Sequence, residues 1–145
     1  MLQTYAKKLE ELGSAFDIYY KDLAQDRMPT PHQLLKADED RDYAIRKLYQ
    51  LICCFSDYRY DAAKENAAKA LKVIFKSYGT GSFISRQAQD VQTAMIGNLL
   101  KELARDTEKQ YVATLNLTEV VLALDTNNQI LKENKWPAEK WKQGM

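Results

Sequence analysis

The chain has 145 residues, of which 46% are hydrophobic and 28% charged, with a net charge of +1 from 21 basic and 20 acidic side chains. That balance is globular rather than disordered, and the length suffices for a core without metals or disulfides. It creates no strong electrostatic field, which argues against nucleic acid and against an anionic membrane as partners.

With only 5 Gly and 3 Pro, the regular segments must be long. The opening Met1-Leu2-Gln3-Thr4 has neither a charged n-region nor an apolar h-region, so no signal peptide is expected. No apolar run approaches the roughly 18 residues of a membrane span. The two cysteines, Cys53 and Cys54, are adjacent in a helical pattern, where a disulfide between them would distort the backbone. They read as reduced thiols, small residues flanking the core in a cytoplasmic protein.

The pattern is helical throughout. Leu2, Tyr5, Leu9, Leu12, Phe16, Tyr19 and Leu23 recur at spacings of three and four, a heptad seam sustained for three repeats. Pro29 and Pro31 forbid continuation past about Arg27. A second helix is expected from about His32 to Asp57, with Leu34, Ala37, Ala44, Ile45, Leu48, Leu51, Ile52 and Phe55 inward. After a break near Tyr58-Arg59-Tyr60, an alanine-rich third helix runs from Asp61 to about Tyr78 with Ala63, Ala67, Ala70, Leu71 and Ile74 on its core face. Gly79 serves as its C′ cap.

The fourth helix should begin near Phe83 and run long, carrying Val91, Met95, Ile96, Leu99, Leu100 and Leu103. Beyond Leu103 its stripe turns polar at Asp106 and Gln110. Leu115-Asn116-Leu117 forms the next turn, with Thr118 as a candidate N-cap. A fifth helix then carries Leu117, Val120, Val121, Leu124 and Leu131 and fades before Trp136-Pro137. Short connections favour antiparallel neighbours. The expected fold is therefore all-α, an up-and-down antiparallel bundle of four to five helices, with residues 1–135 as one domain and 136–145 as a short tail.

One residue stands out on this frame. A wheel at 100° per residue places Arg41 at the centre of the apolar stripe of Ile45, Leu48, Ile52 and Phe55. A charge that cannot be neutralised, at a core position, needs partners. Asp38 lies one turn earlier, close enough for an ion pair on the same helix. Asp42 points elsewhere, towards a neighbouring helix or water. On the fifth helix Asn128 falls near the centre of the Leu117/Leu124/Leu131 stripe. If the helices alternate in direction, the rise per residue puts Arg41 and Asn128 within about 10 Å in height. Asp38, Arg41 and Asn128 are thus expected in one buried polar network. Its structural version is a clamp that sets helix register; its functional version is a pocket binding an anion on Arg41.

Other chemistries find little support. A di-iron bundle needs two Glu-x-x-His motifs, whereas His32 is the one histidine and sits at a helix start. The adjacent cysteines lack a zinc spacing, so no metal and no cofactor is expected. His32 beside prolines is an exposed helix-start residue rather than a tuned base. The Gly79-x-Gly81 loop precedes a helix and its amides could cradle an anion, but no strand precedes it and no Lys-Ser/Thr follows. Lys69, Lys72 and Lys76 form the densest basic cluster, whose ordinary reading is a solvated helix face.

Leu34-Leu35-Lys36-Ala37-Asp38 followed by Arg41-Asp42 resembles the Asp-x-x-Arg-Asp signature of an uncharacterised family of bacterial all-helical proteins. The similarity continues in the alanine-rich third helix ending Tyr78-Gly79 and in the Leu-x-x-x-Asn pattern of Leu124 to Asn128, covering about residues 4–134. It implies a helical bundle and no assigned activity. Family members usually extend beyond the asparagine helix, and they carry more acidic residues where this chain has Ser85-Arg86-Gln87.

The leading functional expectation is a non-enzymatic helical interaction module that self-associates. Its motive is the apolar and aromatic excess of the first segment, where Ile18 and Tyr20 lie off the seam. The alternative is a bundle that binds a small anionic ligand on Arg41.

Overall fold

The computed structural model describes residues 29–134. The backbone separates into two units at Thr30/Pro31, and the described helices belong to the second. The expected first helix and the tail from residue 135 onward lie outside the described residues.

The described part of this unit is an all-α bundle: α1 (Pro31–Phe55), α2 (Ala62–Phe75), α3 (Gly81–Ser85), α4 (Gln89–Leu103), α5 (Asp106–Thr114) and α6 (Thr118–Glu133). None of these helices is long and apolar enough to cross a membrane. α1 is the central element. It packs against α6, α3 and α2, while α4 lies against α6 and α5 against α2. Ile45, Leu48 and Ile52 from α1 meet Ala67, Ala68, Leu71 and Phe75 from α2. Ile84, Ile96, Leu99, Leu103, Val112, Leu115, Leu117 and Leu124 close the core around them.

Local chemistry explains most boundaries. Pro31 opens α1, where its missing N–H costs nothing. Asp61 caps α2, its carboxylate accepting from Lys64 N at 3.1 Å. At the far end of α2 the Gly79 N–H closes a last turn onto Phe75 O at 2.8 Å. Gly79 then takes φ +107°, and a Cβ there would meet the Phe83 ring at 2.6 Å, so glycine serves both the turn and the approach. The Tyr78 hydroxyl donates to Glu102 at 2.5 Å and ties this corner to α4. Burial and that bond push its ionisation up to about 12.

The long fourth helix does not exist as one piece. Residues 81–114 form three helices, so the described residues alone hold six rather than four to five. The first break follows α3, where the Gln87 amide donates to Phe83 O at 3.0 Å and the Ser85 hydroxyl to Ser82 O at 3.0 Å. These side chains satisfy carbonyls that a continuing helix would have used. The second break has a packing cause. Extending the 99/103 stripe would drive Asp106 and Gln110 into the core. A turn at Arg105 (φ −62°, ψ 152°) re-aims the chain, leaving those two exposed and burying Val112 and Leu115 instead. Asp106 and Glu108 in the first turn of α5 complement its positive end.

The Leu115-Asn116-Leu117 turn is a Schellman closure. Asn116 adopts φ 57°, its N–H bonds Ala113 O at 3.0 Å, and the Leu117 N–H reaches Val112 O at 3.0 Å. Leu117 and Val112, both buried, supply the apolar contact of that motif. Thr118 is not the N-cap of α6: Leu117 occupies that position without a side-chain bond, and Thr118 is the first helical residue.

Two core faces are rotated from expectation. On α2, Ala68 and Phe75 are buried while Ala63 is exposed. On α4, Val91 is 45% exposed and Gln92 takes the inward place one residue on. The α4 face is 92, 96, 99 and 103, a stripe that begins with a polar residue.

Candidate functional site

Arg41 lies on the buried stripe of α1, flanked by Leu34, Ala37, Ala44, Ile45 and Leu48, and its exposure is 0%. Three helices supply its partners. From α4, Thr93 Oγ1 accepts from Nη1 at 2.7 Å and Gln89 Oε1 from Nη2 at 2.6 Å. From α6, Asn128 Oδ1 accepts from Nη1 at 3.1 Å. On α1 itself, Asp38 Oδ1 stands 3.6 Å from Nη2, an ion pair too long for a hydrogen bond.

Gln89 bridges that gap, since its Nε2 donates to Asp38 Oδ1 at 2.6 Å while its Oε1 holds the guanidinium. The outer members brace one another. Thr93 Oγ1 donates to Gln89 O at 2.7 Å, and Asn128 Nδ2 donates to Thr93 O at 3.3 Å. Every amide and hydroxyl here has a consistent donor and acceptor role, and one group is left over: Nε of Arg41 has no partner.

The structure therefore brings together Asp38, Arg41 and Asn128. Asp42 belongs to a neighbouring pair instead, its Oδ1 accepting from Gln92 Nε2 at 2.7 Å. Asp38 meets Gln89 and Asp42 meets Gln92, so α1 and α4 advance in the same sense where these side chains touch.

Gln89, Gln92 and Thr93 were not singled out from the sequence, although a signal existed. Counting back from Ile96, Leu99 and Leu103 by threes and fours lands on Gln92 and Gln89. A wheel anchored instead on Val91 and a helix start at Phe83 hides them. Gln92 is only 1% exposed, the second buried polar residue after Arg41.

The electrostatics are uneven. Burial weakens the hold of the Arg41 guanidinium on its proton, while the Asp38 and Asp42 charges strengthen it. The group stays ionised at any pH where the fold persists. Asp42 is raised above the ordinary carboxylate range, chiefly because burial disfavours its charge, with the Gln92 bond opposing. A raised carboxylate lets the native state hold a proton that the unfolded chain has already lost. Asp42 thus removes stability as pH climbs from the ordinary carboxylate value through its own. Asp42→Asn keeps an acceptor for Gln92 and should equal or exceed the parent in urea melts at pH 7. The difference should close as pH falls below the carboxylate range. A variant markedly weaker at pH 7 would show that the charge itself is needed.

Among the described residues no group of three or more His, Cys, Asp or Glu is arranged to hold a metal. His32 is exposed at the start of α1, far along the helix from the cluster. Cys53 and Cys54 are free thiols, half-buried and exposed respectively.

No curated protein and no solved structure matches the chain. A model of a family of unknown function (DUF6261) matches residues 32–134, a span that holds Arg41 and every one of its partners. By that match over well more than half its length, the chain belongs to this family of unknown function.

Proposed function

We propose that this protein is a non-enzymatic helical interaction module that associates with itself, and that the Arg41 cluster is its internal clamp. The observation that carries the reading is the engagement of Arg41. Its exposure is 0%, and Nη1 and Nη2 face Thr93, Asn128, Gln89 and Asp38 of its own chain. An arginine used this way ties α1, α4 and α6 into one register, as buried polar residues do in bundles whose helices could otherwise slide.

An anion anchored on Arg41, the alternative, would have to reach a side chain of 0% exposure and compete with this chain's own groups at Nη1 and Nη2. We therefore look for function away from Arg41. The seam of Leu2, Tyr5, Leu9, Leu12, Phe16, Tyr19 and Leu23 is the proposed contact, pairing with the same segment of a second copy in a cytoplasmic setting.

Light scattering coupled to gel filtration of the full chain tests this. The expected result is a dimer or higher species whose mass falls on dilution. Leu9→Glu with Phe16→Glu should give a monomer whose helical circular dichroism and melting stay close to the parent's. A strict monomer at all concentrations would overturn self-association without touching the clamp.

A further inference from the structure

A second concave feature lies beside Tyr49, about two turns along α1 from Arg41. Between α1, the end of α2 and the start of α3 opens a notch of about 170 Å³ lined by Tyr49, Lys72, Phe75, Lys76, Gly79 and Thr80. Its floor is aromatic: the Tyr49 and Phe75 rings stand 5.3 Å apart and tilted by 59°. Its rim is cationic. Lys72 lies in the last turn of α2 and Lys76 is its C-cap four residues on, so the two share a face where like charges repel.

Of the other lysines on these helices, Lys36 meets Asp40 at 3.6 Å and Lys69 meets Glu65 at 3.2 Å, while Lys47 and Lys64 stand over the Tyr43 and Phe55 rings. Among the described residues Lys72 and Lys76 have neither an ion pair nor a hydrogen bond. The Thr80 oxygen is occupied as acceptor by Phe83 N at 3.0 Å, which leaves its hydroxyl proton free to donate. Thus Gly79 and Thr80 of the loop and Lys72 and Lys76 of the lysine cluster, none with a role in the clamp, meet at one concave place.

We propose that this notch binds a small organic carboxylate with an apolar body about the size of one ring. The volume suits that body: a cavity of about 150 Å³ lined by apolar side chains admits benzene. The aromatic floor takes the ring, since ring–ring contacts add to simple burial. The two ammonium groups take the carboxylate as compact point charges, with the Thr80 hydroxyl as a directional donor. Charge complementarity selects an anion over a neutral or cationic ligand of equal shape. The site is open to water and small, so its affinity falls in the weak range expected of fragment-sized ligands.

The test titrates the full chain with 4-fluorophenylacetate, watching the ligand by fluorine NMR and the protein by backbone amide shifts. The expected shifts are confined to the amides around Lys72, Lys76, Gly79 and Thr80. Its neutral amide, 4-fluorophenylacetamide, should bind about tenfold more weakly. So should the parent ligand to Lys72→Gln/Lys76→Gln, a pair that preserves helix propensity and is checked for an unchanged melt. Equal binding of the neutral compound, shifts centred elsewhere, or none at all would overturn the proposal. So would an acidic peptide that moves these amides when the small carboxylate does not, since that makes the notch a protein contact.

Discussion

Replacing Arg41 with Met is expected to cost the fold about 3–5 kcal/mol, the range for removing one partner from a buried charged cluster. Methionine fits the stem of arginine but leaves Thr93, Gln89 and Asn128 without their donor, in places that water does not reach freely. The loss sits towards the lower end, because Asp38 keeps its bond from Gln89 and is itself 19% exposed. Against a total stability of about 5–15 kcal/mol, such a change is easily read in urea melts. Adding Asn128→Leu to Arg41→Met should return part of it, since an orphaned polar group is replaced by apolar contact. A single variant within about 1 kcal/mol of the parent would mean that the cluster does not hold the helices together.

The second large effect concerns α3, the short helix wedged against α1. Gly81 is buried, and a Cβ built there would stand 2.8 Å from Ile45 O, 2.9 Å from Arg46 Cα and 3.0 Å from Tyr49 Cβ. Two of these are backbone atoms of a long helix and cannot turn aside. Gly81→Ala should therefore destabilise by about 1–3 kcal/mol, the usual cost of overpacking, despite alanine's better helix propensity. Gly97→Ala provides the control on α4. Its new methyl meets only Asn128 Nδ2 at 3.8 Å, an ordinary contact, so propensity decides and the variant should gain about 0.5–1 kcal/mol. The same substitution thus carries opposite signs at two glycines. Thermal melts in which Gly81→Ala matches or exceeds the parent would refute the close seating of α3 on α1.

These two expectations describe how the bundle is assembled. Gly81 lets α3 approach α1 backbone to backbone, which brings the chain around so that α4 starts at the level of Asp38 and Asp42. Gln89 and Gln92 then present their amides to those carboxylates, and Thr93 and Asn128 complete the shell around Arg41. A shift of α4 by one residue would exchange Gln92 for Val91 at the interface and leave Asp42 without its donor. Arg41 ties that register to α6 through Asn128. The apolar contacts supply most of the attraction, and the polar ones discriminate between alternatives that apolar contacts alone would tolerate.

Periodicity alone was enough for the all-α class, for α1 and α2 within two to three residues, and for Arg41 and Asn128 as polar residues on apolar stripes. The reason is that a residue's place on a helix wheel depends only on spacing along the chain, and that spacing is local. The link from Arg41 to Asn128 followed from adding a rise per residue to an assumed alternation of directions. What only the tertiary structure decided was where the chain stops following one wheel. Neither Ser85-Arg86-Gln87 nor Ala104-Arg105 contains a glycine or proline. Each break exists because continuing would have buried Asp106 and Gln110, or because a side chain of α3 replaces the next backbone bond. Those costs are set by what lies opposite in the bundle. With the breaks hidden, the face of α4 was misread by one residue, and Gln89, Gln92 and Thr93, three of the groups that meet the charges on α1, went unseen. The sequence thus identifies the buried charge, whereas the partners that make its burial tolerable are selected by helix packing, which depends on contacts between residues about 50 to 90 positions apart.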